Sequence, residues 1–149
     1  MNLTEHFTLD ELTVSQEAVR AGLDNTPPPD LVDALRFLAA TLEDVRLLLS
    51  TPVIVTSGYR SAEVNRLVGG SPNSAHCDGF AADFIAPRYG SPAAIARAIE
   101  ASSIHFDQLI LEFGRWVHIG VHPVQPRRQA LTAVRRSDGR VEYLMGVQT

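Results

Sequence analysis

The amino-acid sequence predicts an α+β fold in which a largely antiparallel sheet carries helices packed on one face. A long stretch of helical apolar spacing occupies residues 30–49, whereas four strand-like runs fill the chain from residue 108 onward. Asp138-Gly139, a dipeptide typical of tight hairpin turns, separates the last two runs. Helices that come first and strands that follow favour α+β, although the strand and helix expected within residues 81–101 imitate a parallel α/β unit.

The N-terminal third is predicted to hold a short helix followed by the main packing helix. Thr8 and Glu11 have the spacing of a capping box, which predicts a short helix within residues 8–20. Three successive prolines at 27–29 cannot continue that helix, but a proline suits the first turn of the next one. Apolar residues then recur at intervals of three and four, which predicts an amphipathic helix over residues 30–49. These residues are Leu31, Leu35, Leu38, Leu42, Val45 and Leu49.

Two more helices and six strands are expected after the main helix. Ser61 has the position of an N-cap for a helix ending near Val68, and Ser91-Pro92 has that of a cap and first turn for a helix ending near Ala101. The strands are predicted from β-branched and apolar density and from the turns between them. They cover residues 53–56, 81–85, 108–113, 117–121, 130–135 and 141–145.

The composition is that of an ordinary globular domain. The 149 residues are 45% hydrophobic and 20% charged, which suits a single domain with one sizeable core over residues 1–149. Acidic residues number 17 and basic residues 13, all of them arginine, so the net charge is -4 and the pI is about 5.7. This balance argues against a broad nucleic-acid surface. We expect a monomer with no nucleic-acid partner.

The sequence also contains information on the cellular compartment in which the protein is made. There is no window of about 18 uncharged apolar residues, so we expect no membrane span. The first residues lack the basic and apolar regions of a signal peptide, which predicts synthesis in the cytoplasm without an export signal. The single Cys77 excludes an intramolecular disulfide and leaves the redox compartment undecided.

Two short segments carry residues typical of a zinc site. His76 and Asp83 lie seven positions apart, joined by a turn that contains Gly79. His118 lies in another apolar, strand-like run and can supply a third ligand. Two imidazoles and one carboxylate leave the fourth tetrahedral position open for water, as catalytic zinc requires and structural zinc avoids. Asp83 also lies in an apolar run, where an unpaired carboxylate is costly to bury unless a metal binds it.

The same residues belong to a longer pattern, Ser-x-His-x-x-Gly-x-Ala-x-Asp, which runs from Ser74 to Asp83. The pattern resembles the zinc-binding signature of the zinc D-Ala-D-Ala carboxypeptidases and L-alanyl-D-glutamate endopeptidases. Their superfamily also includes Hedgehog-type domains and the vancomycin-resistance dipeptidases. The segment from Trp116 to His118 is similar to the family's last metal ligand, and residues 57–61 to its upstream segment. The N-terminal residues 6–8, 15–16 and 25–29 resemble the small phage and bacterial members.

The resemblance implies a Hedgehog/D,D-peptidase-like zinc site and a role for each matching residue. His76, Asp83 and His118 are implied to be the Zn2+ ligands. Arg60 is implied to hold a substrate carboxylate, for which a guanidinium offers two parallel hydrogen bonds. Ser74 either contributes to substrate binding or only shapes its loop.

The general base departs from the family pattern. Several members have an acidic residue three positions before the final histidine, but that position holds Arg115 here, and Glu112 is the nearest acidic substitute. A three-residue loop at 114–116 places Glu112 directly opposite His118 on paired strands, with Cβ atoms about 5 Å apart. A two-residue turn instead pairs Glu112 with Val117 and turns it away from the metal.

The resemblance therefore implies a zinc metallopeptidase that cleaves peptidoglycan stem peptides, as a carboxypeptidase or an endopeptidase, with Glu112 as general base. The expected site of action is the bacterial cell wall. The small size and the absence of an export signal suit a phage endolysin or tail-associated hydrolase better than an exported housekeeping enzyme. The alternative is a zinc-containing module that only binds a peptide or the cell wall, or a structural component of a phage particle.

Three other residues remain open as site candidates. His122 lies four positions after His118 and shares its face if the strand continues, although Pro123 argues that the strand has ended. His105 precedes a strand and suits a surface position. Cys77 adjoins His76, but neighbours in an extended segment point to opposite sides, which favours a plain thiol.

Overall fold

The computed structural model describes residues 1–149 and contains four α-helices, two short 3-10 helices and one six-stranded sheet. The α-helices are α1 (Gln16–Ala21), α2 (Val32–Leu49), α3 (Ala62–Leu67) and α4 (Pro92–Glu100). The 3-10 helices cover Pro29–Leu31 and Ala75–Asp78. The strands are β1 (Ile54–Ser57), β2 (Ala81–Ile85), β3 (Gln108–Glu112), β4 (Trp116–Gly120), β5 (Gln129–Arg135) and β6 (Val141–Met145).

The sheet has the strand order β1-β2-β4-β3-β5-β6. Every pair of neighbours is antiparallel except β3 and β5, which run parallel. The predicted α+β fold with a largely antiparallel sheet is therefore confirmed.

The two longer helices, α2 and α4, pack on one face of the sheet. Side chains alternate between the faces of a strand, so every second residue of β2, β3 and β4 enters this core. Phe84, Leu109 and Ile119 are fully buried there, together with Leu38 of α2 and Ile99 of α4. The residues between them, such as Asp83 and His118, lie on the opposite face, which α2 and α4 do not cover.

The main helix confirms the apolar periodicity. The first turn, Pro29–Leu31, is a 3-10 helix, and α2 proper begins at Val32. Leu35, Leu38 and Leu42 are completely buried, while the opposite side of the helix faces solvent. No helix of the chain combines the length and apolar character needed to cross a membrane.

The N-terminal helix begins later than the sequence predicts. The capping-box contacts do form, since the Thr8 and Glu11 N–H groups each bond to the other residue's side chain at 3.1 Å. The chain nevertheless makes only turns there, and α1 starts at Gln16 after the N-cap Ser15. The reason is tertiary, because the carbonyl of Leu12 accepts a hydrogen bond from the Tyr59 N–H at 2.7 Å instead of continuing a helix.

The remaining boundaries lie within one residue of their predicted positions. The hydroxyls of Ser61 and Ser91 accept hydrogen bonds from the Val64 and Ala94 N–H groups, each at 3.2 Å, and thereby cap α3 and α4. The segment that contains Cys77 forms a 3-10 turn rather than an extended strand.

Candidate metal centre

Three side chains on the uncovered side of the sheet converge on one point. Asp83 of β2 and His118 of β4 are direct partners across the two strands, and His76 reaches them from the 3-10 helix Ala75–Asp78. Asp83 Oδ1 lies 2.9 Å from His118 Nδ1 and 3.3 Å from His76 Nε2. The side chains are only 2% exposed for His76, 13% for Asp83 and 12% for His118.

The three donor atoms fit a zinc ion. All of them lie within 4.8 Å of one another. Zinc bonds of about 2.0–2.1 Å in a tetrahedron put neighbouring donors about 3.4 Å apart, which is close to the separations of 3.3 and 2.9 Å between Asp83 Oδ1 and the nitrogens of His76 and His118. Two imidazole nitrogens and one carboxylate oxygen are also the ligand types that zinc prefers at catalytic sites.

The backbone of Gly58 orients His76. The His76 Nδ1 atom lies 2.7 Å from the Gly58 carbonyl oxygen, which makes Nδ1 the donor and leaves Nε2 as the free lone pair facing Asp83. The Arg60 N–H donates in turn to the His76 carbonyl at 3.1 Å. Residue 58 must be glycine, because an added Cβ would lie 2.3 Å from the Leu12 carbonyl oxygen. Sequence analysis did not assign Gly58 this positioning role.

Burial and the contacts within the cluster change the pKa values of His76 and Asp83. Burial lowers the pKa of His76, against the opposing effect of Asp83. Burial alone raises the pKa of Asp83, but its close contacts with His118 and His76 outweigh burial and hold that pKa well below its ordinary value. At neutral pH Asp83 is therefore a carboxylate and His76 is neutral, and these are the forms that bind metal.

The register of β3 and β4 differs from both predicted alternatives. Glu112 pairs with Trp116, and His118 is opposite Ile110. The predicted placement of Glu112 directly opposite His118 is therefore wrong. The loop is three residues long, but it begins at Phe113, which has a left-handed φ of 57° like the φ of 68° at Gly114.

Glu112 nevertheless lies on the same face as the metal cluster. The register is displaced from the predicted pairing by an even number of residues, so the side-chain alternation is preserved. Trp116 and His118 share one face of β4, and Glu112 pairs with Trp116. Glu112 is thus a diagonal neighbour of His118, at a typical Cβ separation of about 7–8 Å.

The Glu112 carboxylate is half-buried and has no bonding partner in the protein. It makes no ion pair or side-chain hydrogen bond with the rest of the chain. Burial raises the pKa of Glu112, and Asp83 adds to this effect while His118 and Arg60 oppose it. A carboxylate with a raised pKa is a stronger base than an exposed one.

Arg60 and Ser74 lie side by side at the edge of the cluster. The guanidinium of Arg60 donates to Asn65 Oδ1 at 3.2 Å and to Ser74 Oγ at 3.4 Å, and it has no acidic partner. Arg60 therefore forms no ion pair with the rest of the chain. Ser74 Oγ also accepts the His76 N–H at 3.2 Å, so Ser74 shapes its loop in addition to lining the site.

The remaining candidates lie outside the cluster. The exposed His122 uses Nδ1 to accept the N–H groups of Val124 and Gln125, at 3.2 and 3.0 Å. His105 is exposed. Arg115 is exposed in the β3–β4 loop. Cys77 is half-buried, and burial raises the pKa of its thiol.

One open cleft contains the metal cluster, Glu112, Arg60 and Ser74. Its volume is about 610 Å³. One wall is the loop of residues 68–75, and the floor is the uncovered face of the sheet. A cleft of this size suits an extended peptide or a similar small ligand.

Comparison with known families gives one match. The model of the family described as Peptidase M15 matches residues 5–120, which is more than half of the chain. The matched segment contains Arg60, Ser74, the three clustered residues and Glu112. No curated protein is significantly similar to the chain.

The cluster predicts about one equivalent of bound zinc per chain. His118→Ala should reduce zinc content to near zero, because two remaining ligands cannot hold the ion against a chelator. His122→Ala is the matched control and should keep full zinc content. Metal analysis after dialysis against a weak chelator measures both. Full occupancy in His118→Ala would remove that residue from the site.

The close approach at Gly58 predicts a linked loss of stability and metal affinity. Gly58→Ala should destabilise the fold by about 1–3 kcal/mol, because its Cβ overlaps the Leu12 backbone. Displacement of the residue 58 carbonyl should also weaken zinc binding. In Gly120→Ala, the control, the added Cβ meets no atom closer than 3.7 Å. Equal denaturation midpoints in the two variants would contradict the argument.

Proposed function

The chain belongs to the peptidase M15 family, and from that membership we propose that it hydrolyses peptidoglycan stem peptides, as a carboxypeptidase or an endopeptidase, with Glu112 as general base. M15 peptidases are zinc-dependent, so the chain is a zinc metallopeptidase directed at peptidoglycan. The proposed role of Glu112 as general base rests on one observation. Glu112 lines the same open cleft as the buried cluster of His76, Asp83 and His118.

The metal would be held by His76 Nε2, one oxygen of Asp83 and His118 Nδ1. These atoms support the assignment because they already converge and because no other protein group bonds to them from outside the cluster. Zinc bound there supplies Lewis-acid activation of water and polarisation of the scissile carbonyl.

Glu112 moves the proton in this proposal. Its carboxylate accepts a proton from the attacking water and then donates it to the nitrogen of the leaving amine, so the residue ends each turnover deprotonated. Half-burial, a raised pKa and the lack of any competing ion pair support this role. Arg115, the residue at the usual base position of several family members, is permanently protonated and cannot replace it.

Arg60 and Ser74 are proposed to bind substrate. Arg60 lies in the cleft without an acidic partner, and Asn65 and Ser74 hold its guanidinium in place. A fixed fork of N–H donors suits a peptide carboxylate. Ser74 would contribute its hydroxyl beside that fork.

Residues 1–149 are proposed to act as one domain, as a monomer, at the bacterial cell wall. One sheet that contains all six strands and one main core of 23 buried residues support the single domain. The family's substrate supports the site of action.

The role of Glu112 predicts a specific kinetic defect. Glu112→Gln should keep its zinc but lower turnover of purified peptidoglycan by a factor on the order of a hundred or more, because an amide cannot accept the proton. Glu63→Gln, at an exposed position of α3, is the control and should be unaffected. Near-normal turnover in Glu112→Gln with confirmed zinc would leave the chain without its proposed base. Only a catalyst has turnover to lose, so the experiment also separates an enzyme from a binding module.

The role of Arg60 predicts a defect in substrate binding. Arg60→Lys keeps the charge but removes the planar fork, so kcat/KM should fall on the order of tenfold or more while zinc content stays constant. Arg66→Lys, on the exposed side of α3, is the matched control. Unchanged KM and kcat in Arg60→Lys would exclude Arg60 from the substrate site.

A further inference from the structure

The far side of the cleft is built by the C-terminal hairpin of β5 and β6. Arg135, Val141 and Tyr143 line the cleft from these two strands. Both strands lie after residue 120, where the family match ends. The metal cluster and Glu112 therefore lie within the family's segment, whereas this wall belongs to a part of the chain that the family match does not cover.

Strand register places Tyr143 in the same row as Glu112, two strands away. Glu112 is paired with Ala133 of β5, and Ala133 is paired with Tyr143 of β6, so the three residues form a row across the sheet. Pairing preserves the face, and all members of such a row project to one side. Ala133, between them, is fully buried, whereas Glu112 and Tyr143 both line the cleft.

Arg135 lies two residues after Ala133 on the same face of β5, and two contacts hold its side chain. One of its guanidinium nitrogens donates to the Gly139 carbonyl at 3.0 Å, within the β5–β6 turn. The guanidinium carbon also lies 5.1 Å from the centre of the Phe113 ring, which is cation–π geometry. The other N–H groups of Arg135 have no protein partner. A guanidinium that is fixed on one side and free on the other is prepared for an anionic ligand.

Some charged side chains of the cleft have a partner within the protein, and others do not. Arg127 makes two side-chain hydrogen bonds to Asp107, at 2.8 and 3.0 Å. Asp83 contacts His76 and His118. Arg60 and Arg135 line the cleft and have no acidic partner. They stand on opposite sides of the metal cluster, since Arg60 follows β1 at one edge of the sheet and Arg135 ends β5 near the other.

We propose that Arg135 and Tyr143 form a second carboxylate-binding site, which holds an acidic group of the substrate on the side of the scissile bond opposite to Arg60. This inference rests on the proposed function and narrows its substrate class to peptides with free carboxylates on both sides of the cleaved bond. The Arg135 guanidinium supplies the charge, and the Tyr143 hydroxyl donates a further hydrogen bond.

The distances are those of a short peptide. Arg135 lies two strands from His118, which is about 10 Å at the usual strand spacing, and four residues along β5 from Leu131, the residue in the row of His118, which is about 13 Å. The two Cα atoms are therefore about 16 Å apart, and four or five residues of an extended chain, at about 3.3–3.6 Å each, span that interval. Burial raises the pKa of Tyr143, and the charge of Glu112 adds to it, so the phenol stays protonated as a donor at neutral pH.

Binding measured in a zinc-loaded Glu112→Gln background tests the proposal without turnover. The ligands are purified stem-peptide fragments of peptidoglycan, with their free carboxylates intact or converted one at a time to amides. Arg135→Gln should weaken binding of the intact fragment on the order of tenfold, as expected for loss of a charged hydrogen bond, and Tyr143→Phe by less. Arg136→Gln is the matched control, since Arg136 carries the same charge one residue along but pairs with Glu142 and does not line the cleft.

The amidated fragments assign each arginine to its own carboxylate. Amidation of one carboxylate should abolish the effect of Arg135→Gln, and amidation of a different carboxylate should abolish that of Arg60→Lys. The proposal is overturned if Arg135→Gln weakens every fragment equally, or if it behaves like the Arg136→Gln control. Wild-type protein that cleaves peptidoglycan while Arg135→Gln binds normally refutes this inference alone. Wild-type protein that binds no fragment and cleaves nothing refutes the proposed function as well.

Discussion

The fold buries the carboxylate of Asp83, and this burial constrains both the metal site and the register of the sheet. A carboxylate that is 13% exposed costs several kcal/mol to desolvate unless oppositely charged or hydrogen-bonding groups surround it. His118 on the neighbouring strand lies within hydrogen-bond distance of this carboxylate, and with His76 on the preceding 3-10 turn it completes a ligand set that suits a metal cation. A one-residue slip between β2 and β4 would turn Asp83 into the apolar core, so the site and the sheet register are fixed together.

The packing of the helices decides where chemistry is possible. α2 and α4 cover one face of the sheet with apolar side chains, and the uncovered face carries the polar residues of the same strands. Across that face the strand order arranges the metal cluster on β2 and β4, the base on β3, and a cationic wall on β5 and β6. Contacts outside the sheet stabilise this arrangement: the segment after β1 bonds to Leu12 in the N-terminal turns through Tyr59, and to His76 in the 3-10 helix before β2 through Gly58.

Patterns that are local in sequence could be predicted, and contacts between distant segments could not. Spacing predicts the period of α2 and the caps Ser61 and Ser91. The family signature groups His76 with Asp83 and His118.

The start of α1 depends on a hydrogen bond from Tyr59, 47 positions along the chain, which no local signal reveals. The β3–β4 register depends on left-handed backbone at Phe113, a residue type that rarely adopts it. The observed register differs by two residues from the pairing expected for a loop at 114–116, and an even displacement keeps Glu112 on the site face. The wall of Arg135 and Tyr143 has no motif and becomes visible only from the strand order.

Digestion of purified peptidoglycan by metal-free and zinc-restored protein, with the products identified by mass, tests whether the chain is a zinc-dependent peptidase. We expect zinc-restored protein to release material with new peptide termini and metal-free protein to release none. Loss of a single terminal residue would identify a carboxypeptidase, and release of longer stem fragments would identify an endopeptidase. Zinc-loaded protein that leaves peptidoglycan uncut, or equal cleavage with and without the metal, would show that the chain is not a zinc-dependent peptidase of peptidoglycan.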